Sequence, residues 1–264
     1  MTEGSLAILT LNVCSPSRSR AERQLEWLDQ RPEQIFVLTE ISSGAGSRLL
    51  GERLHGAGWT VRVSPPPERE RGVMVCSRVA LEPARPPLVG YMPERVETVS
   101  VGGLELIGVY APSRDESPEK VARKRRFLAE LLTIVGTREP RATVLIGDLN
   151  IVERTNQAID RVFQDWEYEL YEELPGLGWL DAYRALHPDR IELSWVDTEG
   201  RGYRFDHSFI TADLRERLCR CEYLHETRNT DLSDHSAMVI ELEAIVYQEL
   251  EVSSSLAAEQ PSLF

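Results

Sequence analysis

The residues best suited to acid–base chemistry or metal binding follow short apolar runs of the sequence. Each of those runs has the length and composition of a buried β-strand. The polar residues at or beside their ends are Asn12, Glu40, Tyr110, Asp148, Asn150, Asp206, Asp234 and His235. Taken singly, an Asn or Asp after a strand is most often a turn former. Taken together, they predict a shared cleft, because strand ends are where a sheet presents functional side chains.

Four of these side chains are carboxylates, contributed by Glu40, Asp148, Asp206 and Asp234. If they converge, they repel one another unless a cation lies among them. Hard oxygen ligands without cysteine or clustered histidine favour Mg²⁺ or Mn²⁺. A divalent ion beside a carboxylate–imidazole pair is suited to the hydrolysis of phosphate esters, so the set indicates that reaction class.

The elements that must position these side chains alternate between strands and helices. Gly102-Gly103 separates two apolar runs and predicts a tight β-hairpin. Pro118 begins a helix that we expect to reach about Val135. A purely parallel sheet would not contain such a hairpin. The pattern therefore predicts an α/β fold of mixed sheets with helices outside.

Two stretches are predicted to be mostly helical near the end of the chain. Residues 156–186 are interpreted as helices broken at Pro175-Gly176. After Glu243, residues 244–252 are expected to form a frayed helix, followed by a disordered end. The prediction is thus one domain over residues 1–243 and an acidic tail over residues 244–264.

Composition excludes some functions. The 264 residues include 30 Lys+Arg and 43 Asp+Glu, a formal charge of −13, which argues against coating nucleic acid by bulk charge. This balance leaves room for a local basic cleft. No apolar run is long enough for a membrane span, and the first residues lack a signal-peptide pattern. Four cysteines without paired zinc spacing favour a reducing compartment, so we expect a cytoplasmic protein.

The order of the motifs resembles the endonuclease/exonuclease/phosphatase superfamily over roughly residues 5–242. The motifs are Leu-Asn12, Thr-Glu40, Tyr110-x-Pro112, Gly-Asp148-Leu-Asn150, Arg-Phe-Asp206 and Ser-Asp234-His235. Three later stretches resemble its exonuclease III and AP endonuclease branch in particular. They are Gly178–Arg184 with the following His187-Pro188, Ser194-Trp195, and Gly202–Asp206. The resemblance implies a four-layer α/β sandwich, in which two mixed β-sheets are flanked by helices.

The resemblance also implies roles for the polar set. Glu40 resembles the principal ligand of a Mg²⁺ or Mn²⁺ ion, with Asn12 and Asp234 beside it. Asp148 resembles the residue that orients or deprotonates the attacking water. Of the remaining residues, Asn150 resembles a donor to the scissile phosphate.

Three further residues complete these implied roles. His235, held by Asp206, resembles the imidazole that contacts the phosphate or acts as base. Tyr110 resembles a phenol near the leaving oxygen. Whether Asp148 or His235 takes the proton of water is left open.

Aromatic and basic residues indicate where substrate binds. Trp195, Tyr203 and Phe205 match the positions that form an abasic-sugar pocket in the resembling enzymes, although they also suit a strand core. The stretch from Trp195 to Asp206 is shorter than is usual in that branch. Nearby cations predicted to contact nucleic-acid phosphate are Arg18, Arg20 and Arg114. The basic run over residues 120–126 is interpreted as a solvated helix face.

The sequence therefore predicts a Mg²⁺-dependent phosphodiesterase that acts on DNA as an AP endonuclease or 3′-exonuclease. We expect DNA as the substrate, a monomeric state and no membrane attachment. An alternative is hydrolysis of another phosphoester, such as RNA, a nucleotide or a small phosphorylated compound. A non-catalytic interaction protein is a further alternative, and the complete polar set argues against it.

Overall fold

Two β-sheets pack face to face in the computed structural model, which describes residues 2–82, 90–137, 141–154, 163–253 and 256. The first sheet has the spatial order β12-β13-β1-β2-β4-β3. Its strands are β1 (Thr2–Asn12), β2 (Ile35–Ile41), β3 (Thr60–Val63), β4 (Gly72–Ser77), β12 (Leu218–Leu224) and β13 (Ala237–Tyr247). β1 and β2 are parallel, and the other pairs are antiparallel.

The second sheet has the order β5-β6-β7-β11-β8. Its strands are β5 (Val96–Val101), β6 (Leu104–Tyr110), β7 (Thr143–Asp148), β8 (Trp179–Asp181) and β11 (Asp206–Thr211). β6 and β7 are parallel, whereas β5 and β6 form the hairpin predicted at Gly102-Gly103. A separate short hairpin joins β9 (Trp195–Val196) to β10 (Gly202–Tyr203).

Helices cover the outer faces of both sheets. α1 (Arg18–Asp29) and α2 (Ala45–Gly56) pack on the first sheet. α3 (Pro118–Thr137) and α4 (Asp165–Glu173) pack on the second. The short helices are α5 (Ala182–Leu186) and α6 (Glu226–Asn229), and 3-10 turns cover Pro93–Arg95, Leu174–Leu177 and Ala212–Arg217. The predicted arrangement of two mixed sheets flanked by helices is confirmed.

Period-two alternation explains why the central strands are buried on both faces. In β1, Leu6 and Ile8 enter the core between the sheets, while Leu9 and Leu11 pack under the helices of the first sheet. All four side chains are fully buried. Because successive residues of a strand point to opposite faces, an uninterrupted apolar run is what a doubly covered strand requires.

The stretch predicted as helical over residues 156–186 contains a strand. Trp179–Asp181 forms β8, which pairs with β11 at the edge of the second sheet. Trp179 is buried against α3, and its indole N–H donates to the carbonyl of Val135. Tertiary packing at a sheet edge overrides the local preference here. The part of this prediction at residues 156–162 lies outside the described residues.

The expected helix over residues 244–252 is wrong. β13 continues to Tyr247, and Ile245 and Tyr247 contribute to the core between the sheets. Glu249 then bridges to Val79, and the Leu256 side chain is buried. β1 offers this segment a paired edge, so its apolar residues are used at period two rather than at helical period. Residues 254–255 and 257–264 lie outside the described part of the chain.

A buried ionic network supports the segment that precedes strand β11. Arg204 is fully buried, and its guanidinium donates to Asp181 Oδ2 at 2.7 Å and to Glu153 Oε1 at 3.1 Å. Glu153 follows β7, and Asp181 ends β8. Buried charges of this kind persist only when they are paired, so the network holds these three chain segments in one arrangement.

No helix in the described residues is long and apolar enough to cross a bilayer.

Gly147 allows β6 and β7 to approach closely beside the site. Its φ is +143°, and a Cβ atom added there would lie 2.0 Å from the Val109 carbonyl oxygen. We expect Gly147→Ala to lower the free energy of unfolding by about 3 kcal/mol, because backbone atoms would have to move. Urea denaturation measures this. Gly56→Ala is the control, since its added Cβ contacts nothing, and an equal loss in both variants would contradict the explanation.

Candidate active site

Three predicted site residues lie side by side because of strand register. Tyr110 ends β6, Asp148 ends β7 and Asp206 begins β11. In the ladder, Tyr110 pairs with Asp148, and Asp148 pairs with Asp206. All three are at most 4% exposed. The second sheet therefore presents a phenol and two carboxylates at neighbouring ends of three strands.

Glu40 reaches the same place through a β-bulge in the first sheet. The register of β2 with β4 shifts between Leu38 and Ile41, and Glu40 between them has a φ of +58°. A bulge redirects a side chain, and a left-handed backbone at glutamate is uncommon. The Tyr110 hydroxyl donates to Glu40 Oε1 at 2.6 Å, which joins the two sheets. Asn150, with a φ of +49°, is a second such residue in the site.

Asn12 makes another hydrogen bond between the sheets. Its Nδ2 donates to Asp148 Oδ2 at 2.9 Å, and its Oδ1 accepts from the backbone N–H of Cys14 at 2.8 Å. Asp148 Oδ1 accepts from the backbone N–H of Asn150. Asn150 Nδ2 in turn donates to the Ala111 carbonyl. The Asp148 carboxylate is thus held at both oxygens.

Asp206 and His235 form a buried pair. His235 Nδ1 lies 2.7 Å from Asp206 Oδ2, and because a carboxylate accepts, the imidazole donates. Ser194 Oγ accepts from the Asp206 backbone N–H, and Ser233 Oγ accepts from that of His235. These contacts orient the imidazole toward the cavity. Asp234, one residue earlier, is exposed and accepts from the Trp195 indole N–H at 3.3 Å.

Crowding of acidic groups changes their proton affinity. Burial raises the pKa of the Asp148 carboxyl to about 7, with Asp206 adding to the rise and His235 opposing it. Burial also raises the pKa of the Tyr110 phenol well above its ordinary value, and Glu40 adds to that effect. The site thus concentrates negative charge in a place with little water.

The donor set fits a hard divalent cation. Asp148, Asp206 and His235 offer ligand atoms within 4.8 Å of one another, and all three are buried. Asp206 Oδ1 is buried and has no hydrogen-bond partner among the described residues. Asn12, Glu40 and Asp234, which the resemblance implies as ligands, line the same cavity. Carboxylate and amide oxygens of this kind suit Mg²⁺ or Mn²⁺.

An aromatic wall bounds the other side of the cavity, whose volume is about 380 Å³. Trp195 pairs with Tyr203 across the β9–β10 hairpin, and their rings are stacked 6.3 Å apart. Phe205 lies 5.3 Å from Tyr203 between ring centroids, and Phe163 packs edge-on to Tyr203 at 4.9 Å. The predicted aromatic residues therefore line the cavity and are only partly buried.

The predicted arginines differ in their placement. Arg114 lines the cavity, where it forms an ion pair with Glu167. Arg18 begins α1 with a side chain 70% exposed and pairs with Glu22. Arg20 donates to the Cys14 carbonyl. Neither Arg18 nor Arg20 is among the residues that line the cavity.

Four cavity residues are absent from the sequence predictions: Ser113, Lys124, Phe163 and Glu167. The predicted solvated position of Lys124 is wrong, because its side chain is only 3% exposed and pairs with Glu167. The helical periodicity of the sequence indicates that Lys124 is buried. Lys124 stands on the buried stripe of α3 with Phe127, Leu128 and Leu131, at the spacing i, i+3, i+4 and i+7.

The two packed sheets and the polar cavity where their strands end are similar in fold to solved structures of the endonuclease/exonuclease/phosphatase superfamily, the resemblance that the order of the motifs predicts. An AP endonuclease from Archaeoglobus fulgidus superposes with a TM-score of 0.78 at 23% identity, over 89% of this chain and 98% of that chain.

Two structures of NExo show a similar agreement. The 3′ phosphatase NExo from Neisseria, bound to product DNA hairpin, gives 0.78 at 25% identity over 90% and 99%. The 3′-5′ exonuclease NExo from Neisseria meningitidis gives 0.77 at 25% identity over 90% and 100%. No protein-family model matches the chain, and no curated protein matches it in sequence.

The Asp206–His235 pair predicts a protonated imidazole near neutral pH. Burial alone would lower the pKa of His235, but Asp206 outweighs burial and raises the pKa to about 10. The pKa of His235 in the folded protein lies above the ordinary histidine value of about 6.5. The pair therefore contributes its full stability below about pH 6.5. The contribution is lost as pH rises through about 10.

Nuclear magnetic resonance of the imidazole nitrogens tests this in protein prepared with EDTA. We expect an imidazolium signal for His235 at pH 8. Asp206→Asn should lower the pKa of His235, because it removes the charge that stabilises the cation. A neutral imidazole at pH 8 in the wild-type protein would contradict the assignment.

Proposed function

We propose that this chain is a metal-dependent phosphodiesterase that hydrolyses DNA, with AP endonuclease or 3′-end activity. One observation carries the proposal. His235, which Asp206 holds, and the Asp148 carboxylate line one cavity with Glu40 and Asn12, where strands of the two sheets end. The similar solved structures support DNA as the substrate, since they include an AP endonuclease and a 3′ phosphatase bound to product DNA hairpin.

Glu40, Asp234 and Asn12 would hold Mg²⁺ or Mn²⁺ next to Asp148. When bound, such an ion polarises a phosphoryl oxygen and offsets the charge that develops on it. Among the side chains, Asp148 orients the attacking water and accepts its proton, because two N–H groups hold its carboxylate in place. A base held in this way is positioned for transfer without reorganisation.

His235 and Asn150 face the phosphate in this proposal. Asp206 accepts from His235 Nδ1, and in the protonated imidazole Nε2 also carries a proton, which it donates to a phosphoryl oxygen. A donor fixed in advance stabilises the extra charge of the transition state. The Tyr110 hydroxyl, which donates to Glu40, lies in the same cavity, and we place it near the leaving oxygen.

Asp148→Asn should fold normally and lose at least about a hundredfold in kcat, because the amide cannot accept a proton. Hydrolysis of a labelled DNA duplex with Mg²⁺ measures the rate, and thermal unfolding checks the fold. Asp189→Asn, at an exposed position, is the control and should keep full activity. A wild-type rate in Asp148→Asn would rule out this role.

The aromatic wall supports selection of a sugar that lacks its base. Trp195, Tyr203 and Phe205 form an apolar surface beside the charged groups, and a full nucleotide would compete with these rings for space. We therefore propose abasic DNA as the preferred substrate. The short hairpin of β9 and β10 favours a second candidate, another phosphoester such as RNA or a nucleotide, because it leaves less surface to hold a duplex.

A duplex with one abasic-site analogue distinguishes these substrates. An intact duplex and a blunt 3′ end are tested beside it, each with Mg²⁺ or EDTA, using wild type and His235→Ala. We expect incision at the abasic position that needs Mg²⁺ and is lost in the variant. Phe205→Ala should reduce abasic incision more than 3′-end hydrolysis. Cleavage of no DNA at all would move the substrate to RNA or small phosphoesters.

We further propose that the protein acts as a monomer in the cytoplasm, where its thiols stay reduced. The four cysteines are free in the structure, and two of them, Cys76 and Cys221, are buried.

A further inference from the structure

The loop that follows β1 has an unusual backbone. Cys14 has a φ of +52° and Ser15 a φ of +42°. Glu40, at the bulge of β2, has a φ of +58°. Residues other than glycine rarely adopt this left-handed conformation, because the Cβ atom crowds the backbone. Strain of this kind persists only where the surrounding structure imposes it, and it clusters at functional sites.

A hydrogen bond joins this loop to Glu40. The hydroxyl of Ser15, a half-buried residue, donates to the Glu40 carbonyl oxygen at 3.2 Å. In the described part of the chain, the pairing of β2 with β1 ends at Thr39, and its pairing with β4 passes from Leu38 to Ile41. The Ser15 hydroxyl therefore gives this carbonyl a partner at a point where the strand ladder is interrupted.

The loop itself is held on both sides. The backbone N–H of Cys14 donates to Asn12 Oδ1 at 2.8 Å, and Arg20 on α1 donates to the Cys14 carbonyl at 3.3 Å. Pro16 is buried, and its carbonyl oxygen would lie 2.1 Å from a Cβ atom added to Gly46 on α2. These contacts before and after the hydroxyl-bearing residue fix the position of its side chain.

We propose that Ser15 is a positioning residue for the divalent cation, which holds the backbone of Glu40 in the conformation that directs its carboxylate into the cavity. The inference rests on the proposed function, in which Glu40 is a ligand of Mg²⁺ or Mn²⁺. Because the direction of a side chain depends on the backbone of its own residue, a contact that fixes the Glu40 carbonyl also orients the ligand. Contacts of this kind raise metal affinity by orienting a ligand before the ion binds.

Two contacts then hold Glu40 from opposite ends. The Tyr110 hydroxyl donates to its Oε1, and the Ser15 hydroxyl donates to its carbonyl oxygen. A glycine in place of Ser15 would adopt the left-handed conformation at lower cost, but it has no hydroxyl to donate. The serine at this position therefore gives up some backbone stability and gains the contact with Glu40.

Two substitutions separate the hydroxyl from the backbone strain. Ser15→Ala removes the hydroxyl and keeps a Cβ atom in the left-handed conformation. Ser15→Gly removes the hydroxyl and also relieves the strain. The free energy of unfolding should therefore be higher in Ser15→Gly than in Ser15→Ala, whereas both variants should lose the same affinity for metal.

Binding of Mn²⁺ tests this without any substrate. The full chain is treated with EDTA, dialysed and titrated with Mn²⁺, and the electron paramagnetic resonance signal of free Mn²⁺ reports binding. We expect Ser15→Ala and Ser15→Gly to bind about 10-fold more weakly than wild type. Urea denaturation of the metal-free proteins measures stability. Ser43→Ala is the control and should bind as wild type, because Ser43 is exposed and close to Glu40 in sequence.

Hydrolysis of a labelled DNA duplex gives an independent readout. The Mg²⁺ concentration that gives half the maximal rate should rise by about 10-fold in both Ser15 variants. The value of kcat at saturating Mg²⁺ should stay at that of wild type, because the hydroxyl acts through Glu40 and not on the reacting atoms. A lower kcat at saturating Mg²⁺ would contradict a role through the metal ligand.

Glu40→Gln distinguishes failure of this inference from failure of the function on which it rests. Weaker Mn²⁺ binding in Glu40→Gln, with wild-type affinity in both Ser15 variants, would overturn the inference alone. Wild-type affinity in Ser15→Gly but not in Ser15→Ala would also overturn it, since stability would then govern binding. Wild-type affinity in Glu40→Gln would overturn both the inference and the proposed role of Glu40 as a ligand. Equal losses of affinity in Ser15→Ala and Ser15→Gly, with higher stability in Ser15→Gly, would support the inference.

Discussion

The structure depends on one constraint. Several carboxylates are buried where strands of the two sheets end next to each other. Asp148 and Asp206 are nearly inaccessible to water and lie opposite each other on adjacent strands. Such like charges destabilise a fold unless cations and N–H groups surround them. His235 supplies the cation, and Asn12 supplies a donor from the other sheet. The groups that stabilise these buried carboxylates are also of the kind that chemistry on a phosphate requires.

The surrounding structure serves this arrangement. The bulge at Glu40 and the left-handed backbone at Asn150 direct polar groups inward, at a cost of about 1–3 kcal/mol each. Behind them, the buried Arg204 ties the segment after β7 to the strand β8. Packing of both sheets over an apolar core balances these costs. A rigid scaffold of this kind keeps the reacting groups in position with little motion.

The cavity wall combines two kinds of surface. On one side, partly buried aromatic rings offer flat apolar surfaces, and on the other, Lys124 and Arg114 share one carboxylate. The chain as a whole carries a charge of −13, so the proposed action on DNA would depend on local groups rather than on the net charge. Screening by salt is weaker in such a cleft than at an open surface.

The sequence by itself determined most of the longer strands, the hairpin at Gly102-Gly103, the helix from Pro118 and the polar residues at strand ends. Period and turn chemistry are local, so they can be recognised without a partner. Only the tertiary structure decided that Trp179–Asp181 is a strand, that β13 extends to Tyr247, and that Lys124 lies in the cavity wall. Each of these depends on a paired edge or a countercharge distant in sequence. Burial and charge pairing are set by which segments meet, and that information is not local.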